Sequence, residues 1–249
     1  MKKNKKKTKT IVICIAIAIA VLLANGITIA ILYNNGLLGF YHPQQQAKSG
    51  QVKIACVGDS ITYGYGISSW SENNYPAQLQ RAIGEGFCVN NFGYSGRTAQ
   101  SMGDRAYVKE KLYEQSLAFE PDIVIFMLGS NDSKPYNWDR DNFVKDYKAL
   151  VESYMNLPNK PQVYLMAPPP VFEVNGKVKY DIQKDIIAEE IVPIIKQIAK
   201  EEGLACIDLY KIFEGKEALF SDGCHPTETG AKIIAATVQS RLSEDLAKE

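Results

Sequence analysis

Five short apolar runs, each followed by an amphipathic stretch, constrain this chain more than any other feature. The runs Val52 to Val57, Phe87 to Phe92, Asp122 to Leu128, Gln162 to Met166 and Leu204 to Asp208 have strand length and are rich in valine, isoleucine and phenylalanine. The stretches Tyr75 to Ile83, Val108 to Ser116, Phe143 to Met155, Gln183 to Glu202 and Thr227 to Leu246 carry a helical apolar period. Strands without polar alternation are covered on both faces, and repeated strand-helix alternation requires right-handed crossovers onto a parallel sheet. The expected fold is therefore α/β, a three-layer α/β/α sandwich around a five-stranded parallel sheet. In such folds ligands bind beyond the C-terminal ends of the strands, so the residues just after each run are the ones to inspect.

The N-terminus has a different character. Six lysines and no acidic residue occupy positions 1–10, and Ile11 to Leu32 is apolar except for Thr28 and the Asn25-Gly26 pair. Twenty-two residues at about 1.5 Å each span roughly 33 Å of helix, one bilayer core. Residues 1–10 are read as a cytoplasmic tip, 11–33 as a transmembrane anchor, 34–50 as a linker that includes His42-Pro43, and 51–249 as the folded domain. The lysines place that domain on the extracytoplasmic side of the cell membrane. With the tip set aside, 22 basic residues face 28 acidic ones, a net charge of −6. An acidic body argues against nucleic acid as a partner, because phosphate recognition needs clustered cations. Five cysteines are scattered with no C-x-x-C pair, which indicates neither a zinc site nor a redox motif.

Three polar fragments fall on the same rim. Gly58-Asp59-Ser60-Ile61-Thr62 follows the first run, Gly129-Ser130-Asn131-Asp132 follows the third, and Asp222-Gly223-Cys224-His225-Pro226 precedes the last helix. Any one of them could be a helix cap or a turn. Their joint occurrence is harder to explain that way. His42 and His225 are the two histidines of the chain, and His42 falls in the linker, so an imidazole base in the domain has to be His225. Asp222, three residues earlier, can reach that ring through a turn and fix its tautomer. A G-x-S-x-G elbow, a phosphate-binding G-x-x-x-x-G-K loop and an H-E-x-x-H helix are all absent from the sequence, and Gly64-Tyr65-Gly66 lacks the third glycine of a dinucleotide fingerprint. No cofactor or metal is called for.

Taken with Gly93-Tyr94-Ser95-Gly96 after the second run, these ordered blocks resemble the SGNH (GDSL-type) hydrolase family across Val52 to Leu246. The resemblance implies a serine esterase with Ser60 as nucleophile, Asp222 and His225 completing the triad, and Ser60, Gly96 and Asn131 forming the oxyanion hole. Within the family the chain is most similar to carbohydrate O-acetylesterases, including the sialate O-acetylesterase-like branch, and the implied substrate is a small-molecule or glycan ester. A lysophospholipase or thioesterase would use the same triad but needs a long apolar groove, and no loop is rich enough in Leu, Ile or Phe to build one. A glycan-binding module without activity would be expected to have lost a member of the Ser, Asn, Asp, His set, and all are present. A flavodoxin-like binder would share the layers, which do not settle function.

Aromatic residues crowd the rim. Tyr63, Tyr65, Trp70, Tyr94, Tyr136 and Trp138 all follow expected strands and could stack on sugar faces. Asp59, Tyr94 and Trp138 are the residues expected to touch substrate. Pro168-Pro169-Pro170 is expected to form a stiff wall beside the site, and Glu173 to Tyr180 a small hairpin turning at Asn175-Gly176.

Overall fold

The computed structural model describes residues 21–32 and 41–247. Five parallel strands form one sheet: β1 (Val52–Gly58), β2 (Phe87–Gly93), β3 (Ile123–Met127), β4 (Gln162–Ala167) and β5 (Ala205–Asp208), in the spatial order β2-β1-β3-β4-β5. Each expected run is a strand, within a residue or so of its expected bounds. The helices are α1 (Ser60–Tyr63), α2 (Trp70–Asn73), α3 (Tyr75–Ile83), α4 (Lys111–Ala118) and α5 (Arg140–Met155), then α6 (Lys184–Ile186), α7 (Val192–Glu201), α8 (Leu209–Phe213) and α9 (Glu228–Leu246). A π turn at Ile187–Ile191 joins α6 to α7.

Successive strand residues sort to opposite faces, which is why unbroken apolar runs were needed. Ala55, Val57, Val124, Phe126 and Leu165 pack against α4, α5 and α7. Ile54, Cys56, Ile123, Ile125 and Met166 pack against α3, α8 and α9. The order reverses at β1, whose neighbours are β2 and β3. That is the switch point at which a crevice opens beyond the strand ends.

The element starting near Val108 departs from its expected form. A 3-10 turn at Tyr107–Lys109 comes first, and Glu110 is extended before α4 begins. Two tertiary contacts hold this arrangement: the Tyr107 hydroxyl donates to Phe92 O at 2.7 Å, and the Glu110 carboxylate grips Arg97. The segment read as linker is tied down where it reaches the domain. His42 is buried, its Nε2 is 2.8 Å from Tyr63 O, and its ring lies 4.1 Å from that of Trp70. Burial pushes the His42 imidazole down to about 4.

Residues 11–20 and 33 of the expected transmembrane helix of residues 11–33 lie outside the described residues. Residues 21–32 of it are helical and mostly exposed. No helix among the described residues is long and apolar enough to cross a membrane.

Candidate active site

The crevice at the switch point is an open cleft of about 350 Å3 whose lining includes Ser60, Gly96, Asn131 and His225. Ser60 is placed by the shortness of the first turn. Asp59 caps α1, its Oδ1 accepting from Ile61 N at 3.0 Å, so the chain turns back over the sheet immediately after β1. That reversal is tight enough to exclude any side chain at position 58, where a Cβ would lie 2.1 Å from Thr62 Oγ1 and 2.6 Å from Met127 O. The glycine of the first block is thus a close-approach residue.

Asp222 and His225 come from the loop ahead of α9. Asp222 Oδ1 accepts from the backbone N–H of Cys224 at 3.0 Å and of His225 at 2.8 Å, a turn that brings the carboxylate under the imidazole. Asp222 Oδ2 then lies 2.8 Å from His225 Nδ1, and His225 Nε2 lies 2.9 Å from Ser60 Oγ. The three side chains form one continuous hydrogen-bonded chain across 165 residues of sequence. Partial burial pushes the Asp222 carboxyl up, but hydrogen bonding to His225, that residue's charge and the Tyr180 hydroxyl outweigh it and hold Asp222 well below the usual carboxylate range.

Gly96 and Asn131 face Ser60 from the ends of β2 and β3. Gly96 has φ +83°, a left-handed conformation natural to glycine, and a Cβ there would lie 3.3 Å from Arg105 Nη1. The Asn131 amide nitrogen donates to Asp59 Oδ2 at 3.3 Å and Arg97 O at 3.2 Å. Two acceptors on the same side fix which end of the amide is nitrogen. Both bonds are long, so a stronger acceptor can draw on either hydrogen. Asp132, the last residue of its block, is wholly buried and accepts from Ala99 N at 2.9 Å and Gln100 N at 2.8 Å, pinning the loop that follows Gly96. Burial pushes the carboxyls of Asp132 and Asp59 up, to about 7 and about 6.

The three residues expected to touch substrate do not line the cleft. Asp59 is 1% exposed, its carboxylate spent on capping α1 and orienting Asn131. Tyr94 is covered by the Arg97 guanidinium, 3.4 Å from the ring centroid, and by Tyr41 at 4.8 Å. Trp138 turns inward onto Phe143, centroids 5.5 Å apart, at the edge of the core. Tyr63 and Trp70 are buried as well, stacked on each other, and the three prolines lie beneath the surface without lining the cleft. The aromatic lining consists of Tyr65, Tyr136 and Tyr180. Tyr65 and Tyr136 are two of the aromatic residues expected at the rim, whereas Tyr180, Arg105 and Lys134, which line the same cleft, carry no motif that marks them in the sequence. The hairpin does turn at Asn175-Gly176, reduced to a single bridge between Val174 and Lys177. No signal in the sequence joins its end, Tyr180, to Asp222, 42 residues away. Among the described residues no group of three or more His, Cys, Asp or Glu side chains is arranged to hold a metal.

Chemically, the arrangement supplies a hydroxyl with a base on its proton, a carboxylate to hold the resulting imidazolium, and N–H groups on the opposite wall. Residues 56–233 match the GDSL-like Lipase/Acylhydrolase family. The chain is 36% identical over 214 residues to an acetylxylan esterase of Xylanibacter ruminicola, covering 78% of this chain and 44% of that protein, so it spans less than half the relative's length. Among solved structures it resembles a lipase/acylhydrolase from Enterococcus faecalis with TM-score 0.66 and 25% identity, over 78% of this chain and 97% of the other. A carbohydrate acetylesterase from Sinorhizobium meliloti superposes with TM-score 0.63 over 78% of this chain and 99% of the other, and at 19% identity that likeness speaks to the fold.

Proposed function

The chain belongs to the GDSL-like lipase/acylhydrolase family, and from that premise we propose that it is a serine esterase that removes acetyl groups from carbohydrate esters through an acyl-enzyme intermediate. The observation that carries the reading is the Ser60–His225–Asp222 chain at the floor of an open cleft, with Asn131 on the facing wall. In the proposed reaction His225 Nε2 takes the Ser60 proton as Oγ adds to the acyl carbon, and Asp222 stabilises the imidazolium. The developing oxyanion draws on the N–H groups of Ser60 and Gly96 and the Asn131 amide, each worth about 3 to 4 kcal/mol by analogy with measured oxyanion donors. His225 returns the proton to the departing sugar oxygen, then activates the water that hydrolyses the acetyl-enzyme. The name of the Xylanibacter ruminicola relative supports acetyl as the group and a glycan as its carrier. An open cleft with three tyrosines at its walls suits a polar ring-bearing alcohol better than a long acyl chain.

The test is hydrolysis by the full-length chain of acetylated xylo-oligosaccharides and of p-nitrophenyl esters of rising length, with fluorophosphonate labelling read by mass spectrometry. Acetyl should be preferred over butyryl by about tenfold in kcat/KM, roughly 1.4 kcal/mol, with the label on Ser60. Ser60→Ala, His225→Ala and the double variant should lose similar large factors, because the two residues act as a unit. Octanoyl esters cleaved faster than acetyl, or labelling at another serine, would defeat the reading.

The same proposal includes an anchor: the lysine-rich tip and the apolar run at 11–33 hold the catalytic domain at the outer face of the cell membrane. Its support is the length of that run and the charge of its flank.

A further inference from the structure

Tyr180 stands where the small hairpin rejoins the domain, and the backbone there is unusual. Tyr180 and Asp181 have φ of 64° and 57°, two successive non-glycine residues in the left-handed region, where a Cβ crowds the backbone. A disfavoured conformation persists when surrounding contacts hold it, and it is informative about what it aims. Here it aims a phenol at the triad. The Tyr180 hydroxyl donates to Asp222 Oδ2 at 2.7 Å, the oxygen that also holds His225 Nδ1. The Tyr180 ring stands edge-on to the imidazole at 5.1 Å, and Tyr65 flanks the same imidazole at 4.6 Å. Tyr180 is 44% exposed, so water could have satisfied its hydroxyl.

Among the described residues four hydrogen-bond donors reach the Asp222 carboxylate. Oδ1 takes two backbone N–H groups, and Oδ2 takes the imidazole and the phenol. The first three come from the 222–225 loop itself. Only the phenol comes from a separate segment, and that segment lines the cleft.

We propose that Tyr180 is a positioning residue that fixes the Asp222 carboxylate and sets how strongly it holds the proton of His225, linking the hairpin over the cleft to the catalytic base. This rests on the esterase reading for its consequence in turnover. The physical effect is charge dispersal. A phenol on Oδ2 withdraws part of the carboxylate's charge from the imidazole, and its removal lets the carboxylate stabilise the imidazolium more strongly.

Tyr180→Phe in the full-length chain keeps the ring and deletes the donor. In proton NMR the His225 Nδ1–H, which is held on Asp222 Oδ2, should resonate further downfield than in the wild type, because a carboxylate that has lost one donor accepts the remaining one more strongly. For p-nitrophenyl acetate kcat should fall about tenfold with KM little changed, because the carboxylate loses one of the contacts that fix it. A resonance that stays put or moves upfield would overturn the proposal. The NMR readout needs no turnover, so a wild-type chain without acetylesterase activity would sink the esterase reading separately and leave this test standing.

Discussion

Replacing Asp132 by asparagine probes the buried carboxyl that secures the loop after Gly96. The wild-type side chain is wholly buried and accepts two backbone hydrogen bonds, from Ala99 and Gln100. Asparagine has the same shape, but its single oxygen serves one of the two N–H groups and its NH2 faces the other. Leaving one buried N–H unsatisfied costs about 1 to 3 kcal/mol. The informative quantity is how that cost varies with pH. Burial lifts the folded carboxyl from 3.8 to about 7. The stability this group contributes is therefore fully present below pH 3.8 and is lost as pH rises through about 7. Between pH 5 and pH 8 the wild type should lose roughly 2 to 3 kcal/mol through this one group, and Asp132→Asn should not lose it. Urea unfolding at the two pH values measures the effect. The variant should trail the wild type most at pH 5, and the gap in midpoint should shrink by about 1 M at pH 8, for a slope of about 2 to 3 kcal/mol per molar urea. A gap of equal size at both pH values would refute the reasoning, because it would mean that the folded carboxyl ionises as readily as the unfolded one.

The aromatic lining gives a paired test. Tyr136→Ala should raise KM for acetylated oligosaccharides about three- to tenfold while sparing p-nitrophenyl acetate, since its ring is 61% exposed at the cleft wall. Trp138→Ala should instead lower the unfolding midpoint through lost packing on Phe143 without discriminating between the two substrates, and a glycan-selective loss at Trp138 would reverse the assignment. For the anchor, the full-length chain should fractionate with membranes, and protease added to intact spheroplasts should remove the catalytic body. Recovery of intact protein in the soluble cytosolic fraction would rule the anchor out.

The layered fold was legible in sequence because its cause is local. Val, Ile and Phe runs of strand length, each followed by a helical apolar period, leave a parallel sheet covered on both faces as the arrangement that buries them all, and the alternate residues of β1 and β3 do divide between two cores. The pairing of Asp222 with His225 was legible for a related reason, since the two lie within one turn of each other and the chain has few histidines, whereas Ser60 was singled out by the resemblance of the ordered blocks to a known family. Helices α1, α2 and α8 escaped notice because four or five residues are too few to show a period.

What the residues could not reveal is which way each rim side chain points. Tyr94, Trp138 and Tyr136 look alike as aromatics after strands. Arg97, held by Glu110, covers the first, Phe143 draws in the second, and the third is left at the cleft wall. Asp59 reads as a polar residue beside Ser60, yet the short α1 turns it inward to serve as a cap. Tyr180 meets Asp222 across 42 residues, from a left-handed backbone at the end of the hairpin that a tyrosine does not favour. These orientations depend on partners distant in the chain, and a pairing between distant residues is fixed only when the whole chain has closed around it.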